Sequence, residues 1–150
     1  MTAHPSCRAH QTGTAALEFA LIAPLFFFLL VVSLAFAVSF YVQGVLQGAA
    51  EDGVQAVMQM DRTQYDLPAD DTAFQAQAST LARQAVLQSL NGAPQAVRNQ
   101  IANSNQAIAT QVAGNQITTT VIFDYASNPL LPTFGIDIAR VKGQASASYW

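Results

Sequence analysis

The sequence predicts an α+β protein in which a long N-terminal transmembrane helix extends into a small extracytoplasmic domain. The first observation behind this prediction is an uncharged apolar run, residues 19–42, that is long enough to cross a membrane. The second is a change of period near the C-terminus, where apolar residues alternate as in a half-buried strand. We expect one or two helices between these regions and a C-terminal antiparallel β-hairpin after them.

The apolar run favours a membrane anchor over a cleaved signal. As a helix it would be about 36 Å long, which exceeds the roughly 30 Å of bilayer hydrocarbon. A cleavable signal peptide normally has an apolar region of only about 7–15 residues. Ala35-Phe36-Ala37 nevertheless offers a small-x-small site, so cleavage after Ala37 remains the alternative.

Charge predicts the orientation of this segment. Arg8 precedes it, whereas Glu51, Asp52 and Asp61 follow it. The positive-inside rule then leaves the N-terminus cytoplasmic and the remainder outside. Pro24, within the run, removes one backbone hydrogen bond and predicts a helix kink, which membrane helices tolerate.

The helical pattern continues beyond the membrane segment. Apolar residues recur at three- and four-residue steps from Val42 to Val57, so we expect one helix from about Ala15 to Met60. Small residues are concentrated in this part, and they predict close helix packing because small side chains let helices approach. They are Gly44, Gly48, Ala49, Ala50 and Gly53.

Two further helices are expected after a turn-rich break at residues 65–72. The first has Asp70 or Asp71 as its cap and ends at Asn91-Gly92. Its apolar stripe consists of Phe74, Ala78, Leu81, Ala82, Ala85 and Leu87. The second is a weaker helix over residues 95–103, after which residues 103–114 are equally compatible with a loop.

Two alternations predict the hairpin. The first consists of Ile117, Thr119, Val121, Phe123 and Tyr125. The second begins at Ile136 and Ile138 and continues on odd positions from Val141, so a bulge is expected near Ala139-Arg140. Apolar residues in the connection, Leu130, Leu131 and Phe134, either fill the core or contact a partner. Because two strands alone are marginal, the long helix or another chain should cover their apolar face.

Composition argues against several functions. Charged residues are 10% of the chain and the net charge is -3, so a phosphate-binding basic patch for nucleic acid is not expected. Cys7 is the single cysteine, and with His4 and His10 it lacks a fourth ligand for zinc. Asp70 and Asp71 lack the ligand spacing of a calcium loop. No catalytic constellation or phosphate loop is recognisable, which predicts a non-enzymatic protein without a cofactor.

Glu18 is unusual because a carboxylate directly precedes the apolar run. Drawing it toward hydrocarbon costs roughly 2–3 kcal/mol. If the chain is cut after Gly13, the new Thr14 amine lies one helical turn away and can pair with Glu18, within one subunit or between neighbours. Alternatively, Glu18 lies among the headgroups and interacts with the positive end of the helix dipole.

The residues around Glu18 resemble a known family. Residues 13–24, GTAALEFALIAP, are similar to the N-terminal signature of TadE-like proteins, the pseudopilins of bacterial tight-adherence (Flp-type) pilus assembly systems. Residues 46–53, LQGAAEDG, resemble the Ala-Ala-containing helix that follows in that family. The resemblance covers about a third of the chain.

The resemblance implies processing by a prepilin-type peptidase between Gly13 and Thr14. It implies a non-enzymatic minor pilin or pseudopilin in the bacterial inner membrane or the pilus. The expected partners are other pilins, the inner-membrane assembly platform and that peptidase. The chain would then comprise a cytoplasmic leader (1–13), a transmembrane and extended helix (14–61) and an extracytoplasmic domain (62–150). Two alternatives are an exported soluble binding domain cleaved after Ala37 and an uncleaved single-pass membrane adaptor.

Overall fold

The computed structural model describes residues 11–64, 71–127 and 140–148. These residues confirm the predicted α+β class and contain one strand more than the expected hairpin. The helices are α1 (Gln11–Met58), α2 (Asp71–Ser89) and α3 (Gln95–Asn103), and the strands are β1 (Ile108–Ala113), β2 (Gln116–Asp124) and β3 (Arg140–Ser148). Short 3-10 turns occupy Arg62–Gln64 and Leu90–Gly92.

The chain divides into two compact units, Met1–Ala37 and Val38–Trp150. Helix α1 contributes its first part to one unit and its last part to the other. It is continuous through Pro24, and its bounds agree with the helix expected over residues 15–60. The kink expected at Pro24 stays a prediction.

The sheet is antiparallel, with β2 between β1 and β3. Val121 on β2 pairs with Ile108 on β1 and with Gly143 on β3. The pairing of β2 with β3 confirms the predicted C-terminal alternations. Because the side chains of paired residues lie on the same face, the apolar residues of all three strands form one surface.

Strand β1 replaces the loop considered for residues 103–114. A two-residue turn begins at Gly114, which adopts a φ of 57°, a backbone conformation that glycine tolerates best. The Gly114-Asn115 dipeptide between two alternating segments is a hairpin signal that could have identified the strand. The signal is weak because Ala109 and Ala113 dilute the apolar contrast along β1.

The core of the second unit lies between the sheet and the three helices. Helix α1 buries the stripe expected from its three- and four-residue period, including Val42, Leu46, Val54 and Val57. Helices α2 and α3 add Val86, Val97 and Ile101, and the sheet adds Val121 and Phe123. Helix α1 therefore covers the apolar face that two strands alone could not bury.

Helices α2 and α3 begin and end close to their predicted limits. The bounds of α3 agree with the weaker helix predicted over the same residues. The buried face of α2 consists of Phe74, Ala78, Ala82 and Val86. Val86 was missing from the predicted stripe, whereas Leu81, Ala85 and Leu87 are only partly buried. A strict i, i+4 spacing from Phe74 identifies the observed face.

Several sequence expectations lie outside the described residues. They concern the N-terminal His4, Cys7, Arg8 and His10, the cap candidate Asp70, the apolar connection with Leu130, Leu131 and Phe134, and the bulge near Ala139 with Ile136 and Ile138. They stay predictions.

Candidate functional site at the start of α1

The predicted processing site lies in the first turns of α1. Gly13, Thr14, Leu17 and Glu18 line a shallow recess of about 350 Å3 on the helix surface. Thr14 and Glu18 are four residues apart, which places their side chains on neighbouring positions of one helix face. Both side chains are exposed. The helix thus presents the peptide bond and the carboxylate together at its N-terminal end.

In the uncut chain the nitrogen of Thr14 is a peptide nitrogen, because it is bonded to the carbonyl carbon of Gly13. It lies within α1, which begins at Gln11. Cleavage after Gly13 would convert this nitrogen into an amine at the start of a helix. A carboxylate is favourable near the first turn, since the helix dipole is positive there. In the uncut helix Glu18 lies beyond the first turn, which contains no acidic residue, so an interaction with the helix end also depends on cleavage. Both predicted roles of Glu18 stay predictions.

The segment that follows presents apolar side chains on all sides. The exposed large apolar residues between Leu17 and Tyr41 each leave between 48% and 74% of their surface uncovered in the chain. Phe26 and Phe27 contact each other edge to face, with ring centroids 5.9 Å apart. Such a large exposed apolar surface indicates a membrane or protein contact. By length and composition, α1 contains a candidate membrane-spanning helix.

Ser33, a polar residue within this segment, has a hydrogen-bond partner in its own helix. The Ser33 hydroxyl Oγ donates a hydrogen bond to the backbone oxygen of Leu29 at 2.8 Å, one turn earlier. This bond satisfies the hydroxyl within the helix itself, as polar groups in hydrocarbon require. Ser33 therefore does not argue against a membrane location.

The five small residues predicted for helix packing fall into two groups. Ala49, Ala50 and Gly53 are buried within the second unit. A Cβ atom on Gly53 would lie 3.0 Å from Cγ2 of Val86 and 3.1 Å from Cγ2 of Thr119. A Cβ atom on Gly44 or Gly48 would meet no described atom within 4 Å. The packing role of Gly44 and Gly48 toward another subunit stays a prediction.

Asp71, one of the two predicted cap residues, is the first residue of α2. Its Oδ2 accepts a hydrogen bond from Nε2 of Gln75 at 3.3 Å.

Asp124 lies in a turn at the end of β2. Its Oδ2 accepts a hydrogen bond from Oγ of Ser127 at 2.6 Å. The Ser127 hydroxyl, helped by backbone N–H groups and by Arg140, holds the pKa of Asp124 below its usual range. In the described part of the chain, no three His, Cys, Asp or Glu residues form a group that could hold a metal ion.

One set of contacts was not expected from the sequence: a glutamine on each of α1, α2 and α3 forms a hydrogen bond to the backbone of a strand. Gln47 of α1 bonds Gln144 of β3, and Nε2 of Gln75 of α2 donates to the oxygen of Val112 in β1 at 3.4 Å. Nε2 of Gln100 of α3 donates to the oxygen of Asp124 at 3.2 Å. Nothing in the sequence distinguished these glutamines from the others.

Comparison with known proteins identifies one family. Residues 13–55 match the model of the TadE-like protein family. The match covers less than a third of the chain, from the predicted processing site to the part of α1 that is buried in the second unit. It confirms the resemblance inferred from the motif around Glu18. No curated protein and no solved structure matches the chain.

Proposed function

We propose that this chain, which carries a TadE-like segment at residues 13–55, is a minor pilin or pseudopilin that takes part in assembly of a Tad (Flp-type) pilus. The observation that carries the proposal is the position of that segment. The family match begins at the Gly13-Thr14 bond, includes Glu18 and continues along an exposed apolar helix. The proposed role of the protein is structural and non-enzymatic.

In this proposal a prepilin-type peptidase cuts between Gly13 and Thr14 on the cytoplasmic side of the inner membrane. The Thr14 amine then pairs with Glu18, of the same subunit or of a neighbour. In surroundings of low dielectric constant this attraction offsets part of the cost of burying the carboxylate. The pairing would favour one register of α1 against neighbouring helices. Other pilins and the membrane assembly platform are the partners.

The second candidate is the exported domain left open by the sequence, in which a signal peptidase cuts after Ala35-Phe36-Ala37. The Ala37-Val38 bond lies within α1, which is continuous from Gln11 to Met58. Cleavage there would release residues 38–150 as an exported binding domain. Against this candidate, the family match spans both sides of the bond.

The mature N-terminus distinguishes these candidates. We expect mass spectrometry of the chain from its bacterial host to give Thr14 as the first residue. Replacing Gly13 with Leu should abolish this cut, because the bulky side chain occupies the position beside the scissile bond. Replacing Ala37 with Leu is the matched control: it removes the small residue that signal peptidase needs and should change nothing.

Two other results would contradict the proposal. If the mature chain began at Val38, and the Ala37→Leu variant were not cut there, the protein would be an exported domain. An uncut chain in cells with an active prepilin peptidase would identify a membrane adaptor that keeps its leader.

A further inference from the structure

Among the described residues, strand β3 lies at the edge of the sheet. One side of β3 pairs with β2, and no described strand pairs with its other side. On the other side, Nε2 of Gln47 donates to the oxygen of Gln144 at 2.9 Å. The nitrogen of Gln144 donates to Oε1 of Gln47 at 3.1 Å. The side-chain amide of Gln47 therefore occupies the place that one residue of a neighbouring strand would take.

This contact defines the direction of the next backbone groups along the edge. Residues two apart in an antiparallel ladder direct their backbone groups to the same side. The N–H and C=O of Ser146 thus point away from β2, as those of Gln144 do. An open edge of this kind is a template for pairing with another chain.

A groove lies beside this part of the edge, with a volume of about 450 Å3. Helix α1 provides one wall through Glu51, Val54 and Met58, and β3 provides the other through Ala145, Ser146 and Ala147. Met58 leaves 46% of its surface exposed. The walls combine apolar residues (Val54, Met58, Ala145 and Ala147) with polar ones (Glu51 and Ser146), so they suit the alternating apolar and polar side chains of a strand lying between α1 and β3.

Glu51 is the charged residue of this groove. Its Oε1 accepts a hydrogen bond from Nε2 of Gln47 at 3.1 Å, which orients the glutamine toward β3. Gln47 and Glu51 are one turn apart on α1, so this bond holds both side chains at the same end of the groove. The negative charge of Glu51 favours a bound segment that carries a basic residue at this position.

We propose that the groove between α1 and β3 binds an extended segment of a partner protein, which adds to the edge at Ser146 and places a lysine or arginine beside Glu51. Backbone hydrogen bonds to the edge would supply affinity, and the basic residue would supply selectivity. The groove consists entirely of residues of the second unit. The proposal therefore goes beyond the processing and membrane roles of the first unit, and can fail independently of them.

The test uses the full chain in detergent micelles and a fluorescent seven-residue peptide of alternating threonine and valine with a central arginine. Fluorescence anisotropy should show saturable binding. A peptide with a central glutamate should bind with a Kd about fivefold higher, because one exposed charge pair contributes about 1 kcal/mol. Glu51→Gln keeps the shape and the acceptor for Gln47, and should abolish the difference between the two peptides.

The edge itself is tested at Ser146. Ser146→Pro removes the N–H that points away from β2, so no hydrogen bond to β2 is lost. Proline is therefore tolerated at this edge position. It should weaken peptide binding at least about tenfold, whereas Ser146→Ala, which keeps the N–H, should not. Circular dichroism would verify that both variants are folded.

Failure of the arginine peptide to bind, or equal binding to the Ser146→Pro and Ser146→Ala chains, would overturn the proposal. So would concentration-dependent self-association that Ser146→Pro abolishes, because a second copy of this chain would then occupy the groove.

Discussion

Glu18 and Gln47 are polar residues of the same helix, and the partner of each determines its role. The partner of Gln47 is already present, since its side-chain Nε2 and Oε1 both form hydrogen bonds with the backbone of Gln144. The partner proposed for Glu18 forms only when the Gly13-Thr14 bond is cut. Gln47 thus acts within the folded chain, whereas Glu18 is proposed to act after processing.

Replacing Glu18 with Ala should leave membrane insertion intact and reduce incorporation into pilus assemblies at least about tenfold, which corresponds to about 1.4 kcal/mol. The physical reason is loss of the attraction between the carboxylate and the Thr14 amine. Co-purification with partner pilins measures the effect. Glu18→Asp keeps the charge and should restore part of the incorporation.

Asp52→Ala is the matched control, because Asp52 is an exposed carboxylate on the same helix outside the apolar segment. It should leave incorporation unchanged. If Glu18→Ala and Asp52→Ala co-purify equally well with partner pilins, the proposed charge pairing is wrong.

At the scale of elements, α1 combines two surfaces that differ in their surroundings. Its first part exposes apolar side chains, whereas residues 42–57 bury a stripe against the sheet and α2. Helix α1 lies very close to β3 at Gly143, where an added Cβ atom would overlap backbone atoms of Leu46 and Gln47. The absence of a side chain at Gly143 therefore allows α1 to reach the strand and Gln47 to reach Gln144.

Gly143→Ala should destabilise the second unit by about 1–3 kcal/mol, because backbone atoms of Leu46 and Gln47 would have to move. Gly48→Ala is the matched control. A Cβ atom there meets no described atom within 4 Å, and alanine is more stable than glycine in a helix interior by about 0.5–1 kcal/mol. Thermal unfolding followed by circular dichroism measures both. Equal melting temperatures for the two variants would contradict the close approach of α1 to β3.

At the scale of the whole molecule, the end of α1 and the α/β region share one core. The sequence-based division assigns residues 14–61 to the helix and 62–150 to the outer domain. That division stays a prediction. In the structure, residues 38–150 form one compact unit. Val42, Leu46, Val54 and Val57 belong to the same core clusters as the sheet. We therefore propose that the outer domain includes about the last six turns of α1, from Val38 to Met58.

A chain of residues 38–150 should fold cooperatively without a membrane, whereas a chain of residues 62–150 should not. Four buried side chains of α1 together contribute about 6–12 kcal/mol, which equals most of the stability of a small domain, about 5–15 kcal/mol. Urea unfolding followed by circular dichroism measures the difference. A cooperative transition in the shorter chain would show that α1 is dispensable for this core.

Much of this architecture could be predicted from local sequence patterns. The apolar run and the period of residues 42–57 predicted α1, and the alternation from Ile117 to Phe123 predicted β2, because each pattern repeats at the period of its own element. The family resemblance followed from residues around Gly13 and Glu18 and is confirmed over residues 13–55. These features depend on neighbours along the chain.

The tertiary structure alone decided which residues meet across the chain. The sequence marked Gly44, Gly48 and Gly53 as packing glycines, but the backbone contact of α1 with a strand occurs at Gly143. It did not mark Gln47, whose partner is 97 residues away. A period identifies the face that an element buries, whereas a hydrogen bond between distant residues depends on how the elements are placed together. The processing motif was therefore readable from the sequence, and the groove beside β3 only from the fold.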